Sequence, residues 1–381
     1  MSESKYRYLT AELREDIRKG LYAAGRAFPS EAQLVRRFAV SRQTVQSALR
    51  ELERAGYIVR SQGRGTRVVF GRGRRLGLIP CVPCSEFFAP VAARLSQRCQ
   101  DAGSALLLAT AAPDADALRD PAAYARRVER IAHDFVDQKV AGVLFQPIAF
   151  LPDAAQVNAH ILSVFDAARI PVVLLDYDIV PAPERSAYDV VGIDNVEAGA
   201  ALAAHLVERG ARNVHVLMRP NCSNAVRNRM RGVALGLQLA GRPWDERHVL
   251  ASEPDDIHVV RAHLARGPRP DAVVCGYDGM ALAFEKTLNR LGLTVPDDLL
   301  LAGVDDREFA QALGLTTVHQ PLEDIADAAF DRLKRRIEHP DLPAQAIYLS
   351  APIVVRQSTK RISRKGKRTW CAKESLAELV E

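Results

Sequence analysis

The residues best suited to contact another molecule are concentrated in one short stretch near the amino terminus. Ser41, Arg42, Gln43, Thr44 and Gln46 occupy the first turns of a predicted helix. Arginine can reach a guanine edge or a phosphate, glutamine can pair with base edges, and short hydroxyl side chains can bind phosphates. This stretch therefore predicts contact with double-stranded DNA, although Ser41 by itself could be a helix cap and Arg42 by itself a solvated charge.

Three successive helical patterns must position this stretch. The first carries an apolar stripe at helical spacing, formed by Tyr8, Leu9, Leu13, Ile17 and Leu21. A second helix is predicted over 30–38, where Ser30 follows a proline and is a natural N-cap. The third helix is predicted over 41–52, with Ser41 as its N-cap. Two short helices joined by a tight turn are typical of a helix-turn-helix.

A β-hairpin is predicted directly after these helices, over 57–69, because the apolar spacing changes there from helical to alternating. Its tip carries Gly63, Arg64 and Gly65. The two glycines permit close approach of the backbone to the minor groove, with the arginine between them. A hairpin behind a helix-turn-helix is a wing, so residues 1–70 are predicted to form a winged helix-turn-helix domain.

The segment PSEAQLVRRFAVSRQTVQSALRELERAGYIVRSQGRGTRVV resembles the winged helix-turn-helix of GntR-type regulators, and the resemblance covers about residues 5–70. Its specific elements are the Pro-Ser-Glu helix start, Val40-Ser41-Arg42, Thr44-Val45 and the Gly-x-Gly-Thr wing tip. Ala32 departs from the pattern, because many relatives place a phosphate-reaching arginine there. The resemblance implies that the third helix and the wing bind operator DNA.

Charge is distributed unevenly along the chain. Residues 1–75 carry 17 Lys and Arg against 7 Asp and Glu, residues 76–355 carry 27 against 36, and residues 356–381 carry 8 against 3. A basic head on an acidic body indicates that the head binds a polyanion. A charge run is also typical of a solvated face, so composition alone leaves that alternative open.

The length of 381 residues predicts two or three folding units, with residues 71–75 as a linker and 358–381 as a basic tail. No apolar run of about 18 residues occurs and the amino terminus lacks a secretory signal, so we expect a cytoplasmic protein. Six scattered cysteines favour reduced thiols. We interpret the single CxxC pair, Cys81 and Cys84, as small apolar residues at a strand end rather than a redox or metal site.

From residue 76 onward, apolar runs alternate with helical segments. The runs predict strands near 76–80, 105–109, 141–145, 171–176, 190–194, 214–217, 272–275 and 299–304, and helices are predicted over 197–209, 228–240 and 279–291. This alternation predicts an α/β fold of parallel sheets covered by helices on both faces. Because one sheet would be unusually wide, we predict two doubly wound lobes, with crossings near 185–195 and 315–320 and a ligand site in the cleft.

Five ordered motifs make residues 75–357 resemble the effector domain of LacI/GalR regulators, whose fold is similar to that of periplasmic sugar-binding proteins. The motifs are Pro171-Val-Val-Leu-Leu-Asp176, Ile193-Asp194-Asn195 with Ala198-Gly199, His205-Leu206, Arg229-x-x-Gly232 and Gly303-Val-Asp-Asp306. A GntR-like head on a LacI-like body is the arrangement of arabinose-repressor-type regulators, which the whole chain resembles. The ligand-sensing domain is therefore expected over residues 76–357.

The LacI/GalR resemblance also implies the residues that line the cleft. Arg229 would reach ligand hydroxyls or a carboxylate, and Asp305 would accept hydrogen bonds from sugar hydroxyls. An alternative remains open, in which Arg229 and Asp305 are partners in a salt bridge between the lobes. Tyr277 stands where the family's usual pattern has an asparagine before Asp278.

Further cleft residues are expected near other strand ends. The segment Ser85-Glu86-Phe87-Phe88 follows the first strand of the body and offers an aromatic face for a sugar ring, although either phenylalanine could belong to the core. The remaining candidates at strand ends are Gln146, Asp176 and Gln320.

Two other classes of protein fit the residues less well. An enzyme is disfavoured because the chain lacks GxxxxGK[ST], a strand-to-helix GxGxxG, GxSxG and HExxH. A secreted solute-binding protein would explain the body but neither the head nor the missing signal. We therefore predict a sequence-specific transcription repressor without cofactor or metal, which binds operator DNA as a homodimer. A small, sugar-like ligand in the cleft either releases or promotes that binding.

Overall fold

The structure, a computed structural model, describes residues 2–18, 21–22, 28–54, 57–61, 65–68, 74–81, 85–109, 120–267 and 269–360. The amino-terminal domain consists of helices α1 (Ser2–Arg18), α2 (Glu31–Phe38) and α3 (Arg42–Arg54) and strands β1 (Ile58–Ser61) and β2 (Gly65–Val68). The two strands pair antiparallel. These elements confirm the predicted winged helix-turn-helix, and residues 1–70 are called the head below.

The head has an apolar core of its own, because each helix turns one face inward. Leu13 of α1, Leu34 of α2 and Leu49 of α3 are buried in it. Two members of the predicted stripe on α1 are not part of this core. Tyr8 is 63% exposed, and Leu21, 64% exposed, lies beyond the end of the helix.

Two residues of the predicted wing tip, Gly63 and Arg64, lie outside the described residues. Residues 71–73 of the predicted linker also lie outside them. Gly65, which begins β2, has a φ of +76°. That left-handed conformation favours glycine, since a side chain there would be strained. The hairpin therefore needs glycine at this position regardless of DNA.

The body of the chain begins with β3. Its first half contains β3 (Arg75–Ile79), α4 (Ser85–Asp101), β4 (Ala105–Leu108), α5 (Pro121–Asp137), β5 (Gly142–Phe145), α6 (Ala154–Ala167), β6 (Val172–Leu175) and β7 (Asp189–Ile193). Its second half begins with α7 (Asn195–Glu208), β8 (Val214–Met218), α8 (Asn224–Leu239), β9 (Val249–Ala251), α9 (Ile257–Ala265), β10 (Ala272–Cys275), α10 (Asp278–Arg290) and β11 (Leu300–Asp305). The last elements are α11 (Glu308–Ala312), β12 (Thr316–His319), α12 (Leu322–Glu338), β13 (Ala346–Leu349) and β14 (Ile353–Val354), and short 3-10 turns occur at Glu246–His248 and Gln357–Thr359.

These strands form two six-stranded sheets, which confirms the two predicted lobes. The amino-terminal lobe has the strand order β13-β7-β6-β5-β3-β4, and the carboxy-terminal lobe has the order β14-β12-β11-β10-β8-β9. All pairings are parallel except that of β14 with β12. The strands at the sheet centres are fully buried, which explains their continuous apolar runs.

The chain crosses between the lobes three times, not twice as predicted. It crosses after β7 and after β12, near the predicted places, and again between β13 and β14. The third crossing was missed although β13 and β14 are both apolar, because their runs are only four and two residues long and β13 is half-exposed. The packed chain also continues past residue 357, since Ser358 and Thr359 are buried and the Ser358 hydroxyl donates to the Leu301 carbonyl oxygen at 2.6 Å.

A buried ion-pair cluster supports the segment that leads into the third crossing. The carboxylate of Asp189, at the start of β7, pairs with Arg332 at 2.7 Å and with Arg336 at 2.9 Å, and it accepts from the backbone N–H of Gln345 at 2.8 Å. Burial alone would raise the Asp189 pKa, but the hydrogen bonds from the two arginines hold it below its usual value. This cluster connects α12 to β7 and to the chain before β13.

Candidate functional site

The predicted DNA-contacting residues surround the start of α3. The Ser41 hydroxyl oxygen accepts from the backbone N–H of Thr44 at 3.1 Å, so Ser41 is the N-cap that the sequence predicts. Arg42 and Gln43 are exposed, whereas Thr44 and Gln46 are half-buried. We call these five residues the reading face.

One residue of the reading face projects less than expected. The amide Nε2 of Gln46 donates to Oε2 of Glu31 at 3.2 Å, and Nε of Arg42 donates to the same oxygen at 3.1 Å. Sequence reasoning took Glu31 only as part of a helix start. Its position before two polar residues of the next helix was the available signal, but only the turn between α2 and α3 brings the three side chains together.

The other candidate site is a cavity of about 160 Å³ between the two lobes. Six residues predicted for the cleft line it, namely Gln146, Asp176, Arg229, Tyr277, Asp305 and Gln320. They come from the carboxyl ends of strands in both lobes, from α8 and, for Tyr277, from the residue directly before α10. Polar side chains from both lobes therefore surround one enclosed space between the sheets.

Phe88, expected either to offer an aromatic face at the start of α4 or to belong to the core, lies in the core. Its side chain is buried in the apolar core with Val91 and Leu95, because it lies on the inner face of the helix. It borders only a second, small space next to Asp176. Ser85, Glu86 and Phe87 begin the same helix, and their side chains lie outside the described residues.

Arg229 is held by the close packing of α7 and α8. A Cβ atom at Gly232 would overlap the Val196 carbonyl oxygen, so only glycine lets the two helix backbones approach this closely. This approach places Arg229 beside Asn195, whose Oδ1 accepts from the guanidinium Nη2 at 2.7 Å and from Nε at 3.2 Å. Nη1 donates to the carbonyl oxygen of Gly276.

Arg229 is 3% exposed, yet no carboxylate of the described residues lies within ion-pair distance of its guanidinium. The described chain therefore gives no support to the alternative of a salt bridge with Asp305. A guanidinium has five N–H donors, and three are used by Asn195 and Gly276. The other two remain for a molecule in the cavity.

Two carboxyl groups face the same cavity. Oδ1 of Asp305 accepts from Nε2 of Gln320 at 2.8 Å. Burial and the neighbouring Asp278 raise the Asp305 pKa to about 8, although the Arg229 charge opposes the shift. Burial also raises the pKa of Asp176 to about 6, again against the charge of Arg229. The cavity thus holds carboxyl groups that change protonation state near neutral pH.

Unpartnered polar atoms also line the cavity. Oε1 of Gln146 accepts from the backbone N–H of Cys81 at 3.1 Å, and the Gln146 side chain also opposes the rise of the Asp176 pKa. Among the described residues, neither Nε2 of Gln146 nor Oδ1 of Asp176 has a hydrogen bond of normal geometry, although both atoms are buried. Because such groups are costly to leave poorly paired, they indicate a site for a polar ligand.

The strand ends at the cavity have an unusual backbone conformation. Asp176, directly after β6, has a φ of +74°, and Asp305, at the end of β11, has a φ of +120°. Non-glycine residues rarely adopt these values, and such strain is typically found at functional sites. The strained residue at the strand end is an aspartate in each lobe.

The lobes touch beside the cavity through residues that sequence reasoning missed. The backbone N–H of Phe150 donates to the Asn221 carbonyl oxygen at 2.9 Å, and the Arg219 guanidinium lies 5.9 Å from the centre of the Phe150 ring. Tyr177 and Ser223 also line the cavity. Arg219 and Tyr177 could have been found, because each lies directly after a residue at a strand end. Phe150 and Ser223 lie further along their loops.

Metal and membrane sites have no support in the described chain. Among its residues, no group of three or more His, Cys, Asp or Glu could hold a metal ion. Burial raises the pKa of the Cys81 thiol, which therefore stays protonated, and Cys84 lies outside the described residues. No described helix combines the length and apolar character needed to span a bilayer.

Comparison with known proteins agrees with this two-part architecture. Residues 5–68 match the family described as bacterial regulatory proteins, gntR family, and residues 203–359 match the periplasmic binding protein-like domain. The chain is a transcription regulator with a GntR-type head. The part of the chain that follows the head contains the periplasmic binding protein-like match and is called the sensor below.

Individual relatives cover most of this regulator. The arabinose metabolism transcriptional repressor of Geobacillus stearothermophilus is 26% identical over 379 residues, which cover 94% of this chain and 98% of the relative. The repressor PurR of Klebsiella pneumoniae strain 342 is 28% identical over 327 residues, covering 84% and 88%. The regulator is therefore not an enzyme, since these relatives act on transcription.

Solved structures show the same fold. The regulator CelR in a cellobiose complex superposes with a TM-score of 0.62 at 24% identity, covering 84% of this chain and 91% of that chain. The regulator CcpA of Lactococcus lactis gives a TM-score of 0.62 at 21% identity, covering 76% and 100%.

Proposed function

We propose that this regulator is a cytoplasmic repressor that binds its operator as a homodimer, and that a polyhydroxylated ligand in the cleft controls the binding. The observation that carries the proposal is the convergence of Arg229, Asp305 and Gln146 on one cavity, in a chain that also has a GntR-type head. Two copies would place two heads on two half-sites, which is the usual way in which such domains reach useful operator affinity.

A sugar fits the chemistry of the cavity. Each sugar hydroxyl both donates and accepts, so it can pair with the two remaining N–H donors of Arg229, with the Asp305 carboxyl group and with Nε2 of Gln146. Phe150 and Tyr277 supply apolar faces for the C–H bonds of a ring. Two similar proteins, a repressor of arabinose metabolism and a regulator solved in complex with cellobiose, support the same class of ligand.

Ligand control follows from the position of the cavity between the lobes. A molecule that bonds to Arg229 on one lobe and to Gln146 on the other favours the arrangement in which both are in reach. The operator affinity changes only by the difference in ligand affinity between the two arrangements. Release of DNA and promotion of DNA binding are both compatible with this coupling. A measurement of operator affinity with and without ligand decides between them.

The test is a thermal-shift screen of the full chain with monosaccharides, disaccharides, sugar acids and nucleobases. We expect a shift from a sugar or sugar acid, and we expect Arg229→Ala and Asp305→Ala each to abolish it, because each leaves a ligand hydroxyl and a cavity group unpaired. Arg247→Ala is the matched control, since the Arg247 side chain is 73% exposed and its ion pair is with Asp245 on the same lobe.

The screen also has outcomes that contradict the proposal. A response to nucleobases alone would replace the sugar by a planar ligand. If both cavity variants fold and still respond with the affinity of the unmodified chain, the cavity is not the ligand site. If they lose operator binding without ligand while remaining folded, the sensor positions the heads more directly than the proposal states.

A further inference from the structure

A single carboxylate, that of Glu31, joins the reading face to the wing. Its Oε2 accepts from Nε of Arg42 at 3.1 Å and from Nε2 of Gln46 at 3.2 Å, both on α3. Its Oε1 accepts from Nη2 of Arg60, on β1, at 2.7 Å. Donors from two elements of the head therefore converge on the first residue of a third element, α2.

The contact with Glu31 sets the orientation of the Arg42 guanidinium. A guanidinium is planar and presents its donors along fixed edges. With Nε engaged, the edge formed by Nη1 and Nη2 is the one left for another partner, and the side chain is 78% exposed. That edge can make the bidentate contact with O6 and N7 of guanine. Without the carboxylate, the long side chain would be free to turn toward a backbone phosphate.

The same contact sets the direction of the Gln46 amide. An ionised carboxylate only accepts hydrogen bonds, so the nitrogen of the amide must face Glu31 and not its oxygen. Oε1 and the second N–H then remain for a base edge. This pair of one acceptor and one donor is what the adenine edge requires in the major groove.

The charge of Glu31 has the opposite effect on binding to DNA of any sequence. Burial opposes its ionisation, but the hydrogen bonds from Arg42 and Gln46 and the Arg60 charge together lower the pKa of Glu31, so the group is negative at neutral pH. A negative charge close to phosphates weakens sequence-independent binding. Selectivity depends on the difference between two affinities, so a group that lowers the unspecific one and orients the base-reading side chains favours discrimination in both ways.

We propose that Glu31 is a positioning residue for sequence reading, which holds Arg42 and Gln46 toward base edges and ties them to the wing through Arg60. The inference rests on the proposed operator contacts of the reading face. In this proposal Glu31 does not contact DNA, and the exposed edges of Arg42 and Gln46 contact the bases.

Three variants of the full chain test this role. Glu31→Gln removes the charge and two of the acceptor sites, Glu31→Asp keeps the charge but is too short to reach α3 and β1 together, and Glu51→Gln is the matched control. Glu51 pairs with Arg14 at 3.5 Å and with Arg54 at 3.2 Å, and within the described residues it forms no ion pair with Arg42 or Arg60. The probes are a duplex selected from a random pool by the unmodified chain and the scrambled form of that duplex.

For Glu31→Gln we expect tighter binding to the scrambled duplex. The slope of the logarithm of the binding constant against the logarithm of the salt concentration should become steeper by up to about one. The ratio of the two affinities should fall about tenfold, since a well-oriented base contact is lost. Glu31→Asp should lower the ratio without changing the salt dependence. Glu51→Gln should leave the ratio unchanged.

An unchanged ratio in both Glu31 variants would overturn the positioning role. An equal gain of affinity for both duplexes in Glu31→Gln would show that Glu31 acts through charge alone and would overturn it as well. Thermal melting of each variant identifies a head that fails to fold. If Glu31→Gln fails to fold, the affinity ratio of Glu31→Asp decides whether Glu31 has the positioning role. Arg42→Ala separates this inference from the proposed contacts: if it also leaves the ratio unchanged, the assignment of the reading face fails, and not only the role of Glu31.

Discussion

Arg42 in the head and Arg229 in the sensor are both placed to bind another molecule, but their surroundings are opposite. The Arg42 side chain is 78% exposed and pairs with the Glu31 carboxylate. Arg229 is 3% exposed and, within the described chain, is bonded to the neutral oxygens of Asn195 and Gly276. One arginine is held by a charge at the surface, and the other is held by neutral groups inside the protein.

The difference follows from the two binding partners. DNA approaches from solvent, so its reading groups must be exposed, and an exposed ion pair can orient them with little effect on stability. A small ligand is enclosed, so its partners must be buried, where each unpaired polar group is costly. Substitutions in the head should therefore change DNA binding more than stability, whereas substitutions of buried charges in the sensor should change stability first.

The largest expected effect tests the stability side of this comparison. Asp189→Asn should lower the free energy of unfolding of the sensor by about 3–5 kcal/mol, because it leaves the buried charges of Arg332 and Arg336 without their carboxylate. Glu51→Gln breaks exposed ion pairs in the head. It should lower the free energy of unfolding of the head by no more than about 1 kcal/mol. Calorimetry of the full chain checks both, and equal losses would break the comparison.

The next effect concerns DNA binding. Arg42→Ala should weaken operator binding by about 1–3 kcal/mol, since one arginine contact to a base or phosphate is removed. The melting temperature should hardly change, because the side chain lies at the surface. Gel-shift titration measures the affinity, and Arg54→Ala, at the other end of α3, is the control. Unchanged affinity and sequence preference would show that α3 is not the reading helix.

A third effect is a pH dependence. The Asp305 pKa is raised in the folded state, so the folded chain holds this proton more tightly than the unfolded chain. The stability contributed by the protonated form is therefore present below about pH 4 and is lost as the pH rises through about 8. Between pH 5 and pH 8.5, the melting temperature of Asp305→Asn should fall less than that of the unmodified chain. Identical losses in both would contradict the shift.

The sequence predicts the long, apolar parts of this fold and misses the short polar ones. The central strands of both sheets were predicted because parallel strands buried on both faces give continuous apolar runs. β12 was expected only through the placement of Gln320 at a strand end and gave no apolar run of its own, because Thr316 and Thr317 supply its buried interior. Their hydroxyls bond to Thr359 at 2.7 Å and to Asp278 at 2.7 Å, so side-chain hydrogen bonds replace the apolar pattern.

The candidate sites show the same division. The resemblance to LacI/GalR regulators implied Asp305, and Asp176 was expected because it follows a strand whose carboxyl end should meet the cleft. Phe150 could not be located this way, because a backbone hydrogen bond to Asn221 of the other lobe fixes its place. The sequence left two roles open for Phe88, since an aromatic residue at a helix start looks the same in sequence whether it faces a cavity or the core.

Coupling between the two regions is the central claim, and it has one direct test. Operator affinity of the full chain is measured with and without the sugar identified in the screen, for the unmodified protein and for Arg229→Ala. The account predicts that the sugar changes the operator affinity of the unmodified protein about 5- to 150-fold. It also predicts that Arg229→Ala keeps the ligand-free affinity and shows no change with sugar. A ligand that binds the cleft without altering operator affinity, or a folded Arg229→Ala protein that no longer binds the operator, would contradict it.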